Sequence, residues 1–284
     1  MLRLDPTCCV QMKIIALILV LLTVSFVALG HAGDAPSKLT GSLFENSLGM
    51  RFVPVEIVGG PTNGQRVWFS NWETRVQDYA EFIKANGFTA GWNATDAPRN
   101  PAAMATWQES RSFCEWLTKR ERASGILGSQ DEYRLPTDHE WSCAAGIGRQ
   151  ENAEASPESK SDGIPGVYPW GKQWPPPRYY GNFTPVYNRT FLLTQWPSPV
   201  TLAAVGHYSF RRNGLYDLVG SVYQWCEDWY NDKHQWRVLR GSWDSGDKTS
   251  LLSSHRVANE PCARWVCNGF RCVLINTGSP SPAK

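Results

Sequence analysis

Fourteen tryptophans in 284 residues constrain the fold of this chain more than any other feature. Ten tyrosines and eleven phenylalanines add to them. An indole buries a large apolar body, yet its N–H needs a partner once inside. Helix bundles seldom use so many. Irregular, loop-rich folds can use them to pack long connections. The hydrophobic share of 42% and charged share of 19% exclude a disordered tail, a collagen-like repeat and a highly charged coiled coil. Lys plus Arg is 28 and Asp plus Glu is 26, so no charge excess points to nucleic acid. The length suits one large domain or two small ones.

The first 32 residues read as a secretory signal. Met12-Lys13 opens a basic region, and the start codon is either Met1 or Met12. Ile14 to Leu29 is almost uninterrupted apolar sequence, shorter than the ~20 residues of a spanning helix. Small residues follow through Gly30-His31-Ala32, placing cleavage near Ala32–Gly33. The expectation is a secreted or periplasmic protein, membrane-bound only if the signal is retained. Residues 33–40 read as a linker, 41–276 as the folded domain and 277–284 as a tail.

Export changes how the cysteines are read. Cys8 and Cys9 leave with the signal. Cys114, Cys143, Cys226, Cys262, Cys267 and Cys272 remain, an even number that favours disulfides in an oxidising compartment. Zinc sites use closer pairs than Cys262-x4-Cys267-x4-Cys272.

Within the domain, Met50–Ile57 and Arg66–Ser70 alternate as strands around a Gly59–Gly64 turn. Thr74 with Gln77, Thr106 with Glu109 and Thr137 with Glu140 read as capping boxes opening three helices. Residues 149–166 read as a surface loop. Tyr168 to Phe210 carries seven prolines and scattered aromatic residues, a long irregular region of the kind that is usually functional. Short strands return at Leu215–Leu218, Ser221–Cys226, Arg237–Arg240 and Gly269–Ile275.

Ordered blocks then carry a family resemblance. They are Asn46-Ser47-Leu48-Gly49-Met50-Arg51-Phe52-Val53-Pro54-Val55, then Tyr133-Arg134-Leu135-Pro136-Thr137-Asp138-His139-Glu140-Trp141, and Tyr168-Pro169-Trp170-Gly171. Asn213 to Trp229 follows, containing Gly220-Ser221-Val222-Tyr223-Gln224-Trp225. Arg237-Val238-Leu239-Arg240-Gly241-Ser242-Trp243 and Gly269-Phe270-Arg271-Cys272 close the series. Together they resemble the formylglycine-generating enzyme (sulfatase-modifying factor) family from about residue 41 to 276. The resemblance implies an α+β fold, that family's variant of the C-type-lectin-like fold, with short strands, a few capped helices and much loop.

The implied chemistry does not carry over residue by residue. The family's oxidases use two cysteines spaced C-x4-C after the glycine-serine-aromatic turn, and paired thiolates suit copper(I). Those positions are Ser245 and Ser250 here. Cys262-x4-Cys267 has the right spacing further downstream and reads either as disulfide or loop cysteines, or as a relocated copper site. The resemblance also implies calcium positions at Asn182 and Phe183 and in the Gly220–Gln224 run, making Ser221 and Gln224 candidate ligands. That run lacks its carboxylate, whereas calcium takes 6–8 oxygens, usually including carboxylates. Asp217, Glu227 and Asp228 lie nearby and read also as turn caps and surface charge. His139-Glu140 lacks the second histidine of a zinc helix. Five scattered histidines do not supply an iron site, and no strand-elbow motif supports a hydrolase triad. In the family, the cysteines corresponding to Cys114 and Cys272 can bridge. Cys143 is then left to Cys262 or Cys267, and Cys226 reads as a buried thiol.

Two functions from different classes follow. The first is a module binding a polar ligand or a protein. Its face would be Trp243, Asp244, Ser245, Asp247, His255, Arg256, Asn259 and Trp265, with His255 able to make binding pH-dependent. Arg256 has a rival reading as a buried arginine paired with a carboxylate. The alternative function is a formylglycine-generating oxidase acting on a sulfatase cysteine.

Overall fold

The computed structural model describes residues 37, 39–87, 97–177, 180–181, 202–208, 214–243 and 248–278. All fall within one compact unit, Ala35–Lys284. The signal reading of residues 1–32 lies outside the described residues, as does much of the 168–210 region.

Among the described residues, two curled sheets and four helices build the unit. The first sheet runs in the order β1 (Phe44–Glu45), β2 (Arg51–Glu56), β3 (Arg66–Ser70), β9 (Val273–Asn276) and β4 (Asp131–Arg134). All its neighbours are antiparallel, so the last strand is inserted between elements from the first half of the chain. The second sheet runs β7 (Val257–Asn259), β6 (Arg237–Arg240), β5 (Tyr223–Trp229) and β8 (Asn268–Gly269), with β5 and β8 parallel.

Helix α1 (Val76–Asn86) and α2 (Trp107–Ala123) bury one aromatic cluster. Phe113 meets Phe82 at 5.8 Å and Phe270 at 5.4 Å between ring centres. The opening argument about indoles holds at Trp107, Trp141 and Trp225, whereas the buried Trp72 Nε1 has no hydrogen-bond partner. Trp225 Nε1 donates to the Ala105 carbonyl at 2.8 Å, and Trp107 Nε1 donates to the Cys226 carbonyl at 2.9 Å. Both acceptors lie more than a hundred residues from their donors, which ties α2 and its approach to the second sheet.

The capping boxes at Thr106 and Thr137 form as expected, opening α2 and α3 (Asp138–Ala144). The Thr74–Gln77 box does not. Helix α1 begins one residue later, with Arg75 at the cap and Asp78 accepting its backbone N–H. Thr74 is already committed: its N–H donates to Phe270, its carbonyl accepts from Ala102, and its hydroxyl lies on Cys272. Residues 149–166 are not simply loop. They contain a 3-10 turn, Gly148–Gln150, and helix α4 (Pro157–Lys160). Leu215–Leu218 is not a strand. Asp217 takes a φ of 54°, and the segment turns to deliver its carbonyls to Arg271 and Gln224.

Candidate functional site

The turn after β6 sets the direction of the segment where the resemblance places catalysis. Gly241 has a φ of 81°, and a Cβ there would stand 2.7 Å from the Leu218 carbonyl oxygen, so the turn requires glycine. The Ser242 carbonyl accepts from the N–H groups of Gly220 and Ser221. Trp243 follows, partly exposed. Asp244, Ser245 and Asp247 lie outside the described residues. Ser250 is partly buried on the next turn, whose Leu251 and Leu252 pack with Tyr168, Val219, Trp170 and Trp174. Tyr168 and Trp170 stack at 4.9 Å, and Lys248 Nζ lies 5.5 Å from the centre of the Trp174 ring. The same turn is stitched to residues 162–167 by Asp162 N–H to Ser254 O and Ser253 N–H to Val167 O. His255 Nδ1 meets Asp162 Oδ1 at 2.8 Å, a half-buried pair no sequence spacing announces.

The expected binding face is divided. Strands β6 and β7 are antiparallel, with Asn259 opposite Arg237 and Val257 opposite Leu239. His255 gives its carbonyl to Arg240 Nε, so it sits with Trp243 at the far end of β6. Asn259 belongs to the near end, about 10 Å away along the strand at ~3.3 Å per residue, and Trp265 lies across the sheet before β8, its carbonyl accepting from the Asn268 N–H. Trp265 is 60% exposed and the adjoining Val266 is 48% exposed.

Arg256 is not on either surface. Its guanidinium is buried in an ion-pair hub, the structural alternative stated above. Arg256 Nε donates to Asp138 Oδ1 at 2.9 Å, and its two terminal nitrogens grip Glu151 at 2.9 and 2.7 Å. Arg240 Nη1 reaches Asp138 Oδ1 at 2.6 Å, and Lys160 Nζ reaches Oδ2 at 2.7 Å. Ser142 Oγ accepts from both arginines. Burial alone would push the Asp138 carboxyl up, but Arg240, Arg256 and Lys160 overcome it and hold the group well below the usual carboxylate range.

A second buried cluster occupies the candidate calcium region. Glu73 is fully buried and accepts from Ser221 Oγ at 3.1 Å and from Gln224 Nε2 at 3.4 Å. Gln224 Oε1 accepts from Trp141 Nε1 at 3.0 Å and from Arg271 Nε at 2.7 Å. Asp217 Oδ2 accepts from the Gly206 N–H, while its buried Oδ1 has no partner. Burial and then the charge of Asp217 push the Glu73 carboxyl up to about 8, against the pull of Arg271. Burial likewise raises Asp217 to about 6. This donor set does not suit calcium. Ser221 and Gln224 turn hydrogens toward the carboxylate instead of offering oxygens. Asn182 and Phe183 lie outside the described residues. Asp217 is therefore neither a surface charge nor a cap, and Asp228, nearly buried, accepts the Asp138 N–H and is pushed up to about 6, chiefly by burial.

Cys114 and Cys272 place their sulfurs 3.5 Å apart in the core. Cys143 does not approach Cys262 or Cys267. Its sulfur lies against the Val58 carbonyl and His139, with Gly148 close behind it. Cys226 is buried, as read. Burial pushes the Cys267 thiol up to about 11 and the Cys226 thiol well above its ordinary value.

No local pattern singles out Glu73 or Arg271. Arg271 stands inside the Gly-Phe-Arg-Cys block, and Glu73 adjoins Thr74, which reads as a cap.

An α+β unit of two short curled sheets, with a buried Glu–Gln–Arg cluster behind a glycine-serine-tryptophan turn, defines the class. The chain belongs to the sulfatase-modifying factor family: residues 62–275 match the sulfatase-modifying factor enzyme 1-like domain. Its fold is the formylglycine-generating enzyme variant of the C-type-lectin-like fold. The chain is similar to the inactive C-alpha-formylglycine-generating enzyme 2 of Bos taurus, 31% identical over 183 residues, 61% of this chain and 50% of that one. It is 25% identical over 198 residues to the formylglycine-generating enzyme of Thermomonospora curvata, 67% of this chain and 54% of that one. It is 28% identical over 193 residues to serine/threonine-protein kinase pkn1 of Chlamydia pneumoniae, 62% of this chain but 24% of the kinase. The matches thus span between about a quarter and half of these relatives. Among solved structures, PvdO from Pseudomonas aeruginosa aligns with a TM-score of 0.55 at 18% identity, over 84% of this chain and 99% of that one. Treponema denticola variable protein 1 aligns at 0.56 and 17% identity, over 82% of this chain and 99% of that one.

Proposed function

We propose that this chain is an exported binding domain that has given up thiol–copper oxidation. The observation that carries the reading is the pair Ser245 and Ser250, which stand where the family's oxidases place two cysteines. A hydroxyl stays protonated near neutral pH and is a poor ligand for a soft ion. The other thiols do not compensate. Cys114, Cys143, Cys226 and Cys272 are core residues, and Cys267 is pushed up to about 11, far from easy thiolate formation. A relative of comparable span carries the name inactive formylglycine-generating enzyme.

Recognition belongs at the Trp243 end of β6. Trp243 and Lys248 flank residues 244–247 in the chain, Lys248 lies against Trp174, and Trp170 and Trp174 pack on the turn that leads to His255. These offer aromatic surface, a cation and an imidazole, which suits a polar ligand or a protein loop. Anaerobic titration of the purified protein with copper(I), alongside an aldehyde assay on a sulfatase-derived cysteine peptide, tests the reading. Neither tight thiolate binding nor aldehyde is expected. Either result would return the chain to the oxidases.

Export implies an oxidised core. Cys114 and Cys272 are then expected as a disulfide, closing a span of 158 residues and contributing ~4–5 kcal/mol through the unfolded chain. Mass spectrometry of the secreted protein after thiol alkylation reads the pair directly. Two alkylated core cysteines would remove the bridge from the proposal.

A further inference from the structure

The Gln224 side chain has its amide orientation fixed by its neighbours. Trp141 Nε1 and Arg271 Nε can only donate, and both point at the same atom, so that atom is Oε1. The NH2 end is therefore turned the other way, onto the Asp217 carbonyl at 2.9 Å and onto Glu73 Oε1 at 3.4 Å. Arg271 adds a full positive charge and takes the Tyr216 and Asp217 carbonyls at 2.9 and 3.2 Å. The Ser221 hydroxyl is spent on Glu73. A divalent cation brought here would meet amide hydrogens and a guanidinium, with Asp217 Oδ1 as the one unpartnered side-chain acceptor among these residues.

We propose that the Gln224 amide and Arg271 do at this place what a divalent cation would otherwise do, so that the Glu73–Asp217–Gln224 cluster excludes calcium and folds without it. The glutamine is the decisive residue. A carboxylate at 224 could keep one oxygen on Trp141 and Arg271. Its other oxygen would then face the Asp217 carbonyl, an acceptor against an acceptor, and would add a third carboxyl beside Glu73 and Asp217. Such a cluster is short of positive charge, and a dication would relieve it.

Thermal unfolding of the purified wild type, Gln224→Glu and Asp217→Asn proteins, each in a calcium chelator and in millimolar calcium, tests this. The wild-type midpoint is expected not to move. Gln224→Glu is expected to melt lower in chelator and to recover by several degrees in calcium. A wild-type calcium shift that Asp217→Asn abolishes would overturn the proposal. A wild-type shift that Asp217→Asn retains arises elsewhere in the chain and leaves the cluster closed to calcium. If Gln224→Glu folds yet ignores calcium, the role given to the amide is wrong. If it fails to fold in chelator, recovery of folded protein on refolding in calcium supports the proposal. If it folds in neither, calorimetric calcium titration of wild type against Asp217→Asn decides between the same two outcomes.

Discussion

Asp138 and Glu73 are both buried carboxyl groups, and the protein treats them in opposite ways. Asp138 has three cations within 3.0 Å: Arg240, Arg256 and Lys160. It is held ionised, well below its ordinary value. Glu73 shares a single cation, Arg271, with a second carboxyl, Asp217. Burial, helped by the charge of Asp217, outweighs that one guanidinium, and Glu73 is pushed up to about 8. Burial raises both acids; what differs is how many cations stand against it, three at Asp138 and one shared at Glu73.

Removing the anion from the cation-rich hub is the largest expected disruption. Asp138→Asn leaves Arg240, Arg256 and Lys160 with Glu151 alone, and uncompensated buried charge costs about 3–5 kcal/mol. Glu73→Gln, by contrast, replaces a mostly neutral acid with its neutral isostere. Its cost at pH 5 is expected below ~1.5 kcal/mol. Urea unfolding of both variants measures the two numbers. Equal costs would break the comparison.

The same contrast predicts opposite responses to pH. Asp138 is depressed from its ordinary 3.8, so its contribution is complete above that value and is lost as acid protonates the folded protein. Glu73 is raised from its ordinary 4.5, so the folded protein binds that proton more tightly than the unfolded chain. Its contribution is complete below 4.5 and declines as pH rises toward about 8. Wild-type stability should therefore fall between pH 5 and pH 8, and Glu73→Gln should flatten that fall. Asp217 and Asp228, each raised to about 6, leave a smaller slope of the same sign. An unchanged slope in Glu73→Gln would mean that Glu73 is ionised in the folded protein.

How legible these clusters are in the sequence follows from distance along the chain. The boxes at Thr106 and Thr137 join residues three apart, so the local pattern contains both partners. Glu73 and Ser221 are 148 apart, and Arg256 and Asp138 are 118 apart. No window of sequence holds both. Asp138 stands in the first turn of α3, where an acid suits the helix N-terminus, but that local account is incomplete. Its three cations arrive from α4, β6 and the start of β7. Thr74 shows the converse failure. Its local pattern is a good cap, and tertiary hydrogen bonds to Phe270 and Ala102 take it away. The split of the expected binding face has the same origin: the antiparallel return of β7 separates Asn259 from Trp243, which no composition of the 243–265 segment reveals.

The smallest expected effect is also the sharpest discriminator between the two clusters. Each contains one serine hydroxyl doing a different job. Ser142 Oγ accepts from Arg240 at 3.0 Å and Arg256 at 3.2 Å, groups that stay charged at every accessible pH. Ser142→Ala should therefore cost ~1 kcal/mol, the same at pH 5 and pH 8. Ser221 Oγ donates to Glu73 Oε2 at 3.1 Å and so favours the ionised carboxylate. Losing that donor matters little while Glu73 is protonated, and matters more once it ionises. Ser221→Ala should therefore be nearly silent at pH 5 and cost more at pH 8, up to ~1 kcal/mol once Glu73 is fully ionised, with the stability decline continuing to higher pH. Urea midpoints of the two variants at both pH values settle the point. A Ser221→Ala cost independent of pH would show that its hydroxyl serves packing and not the Glu73 proton.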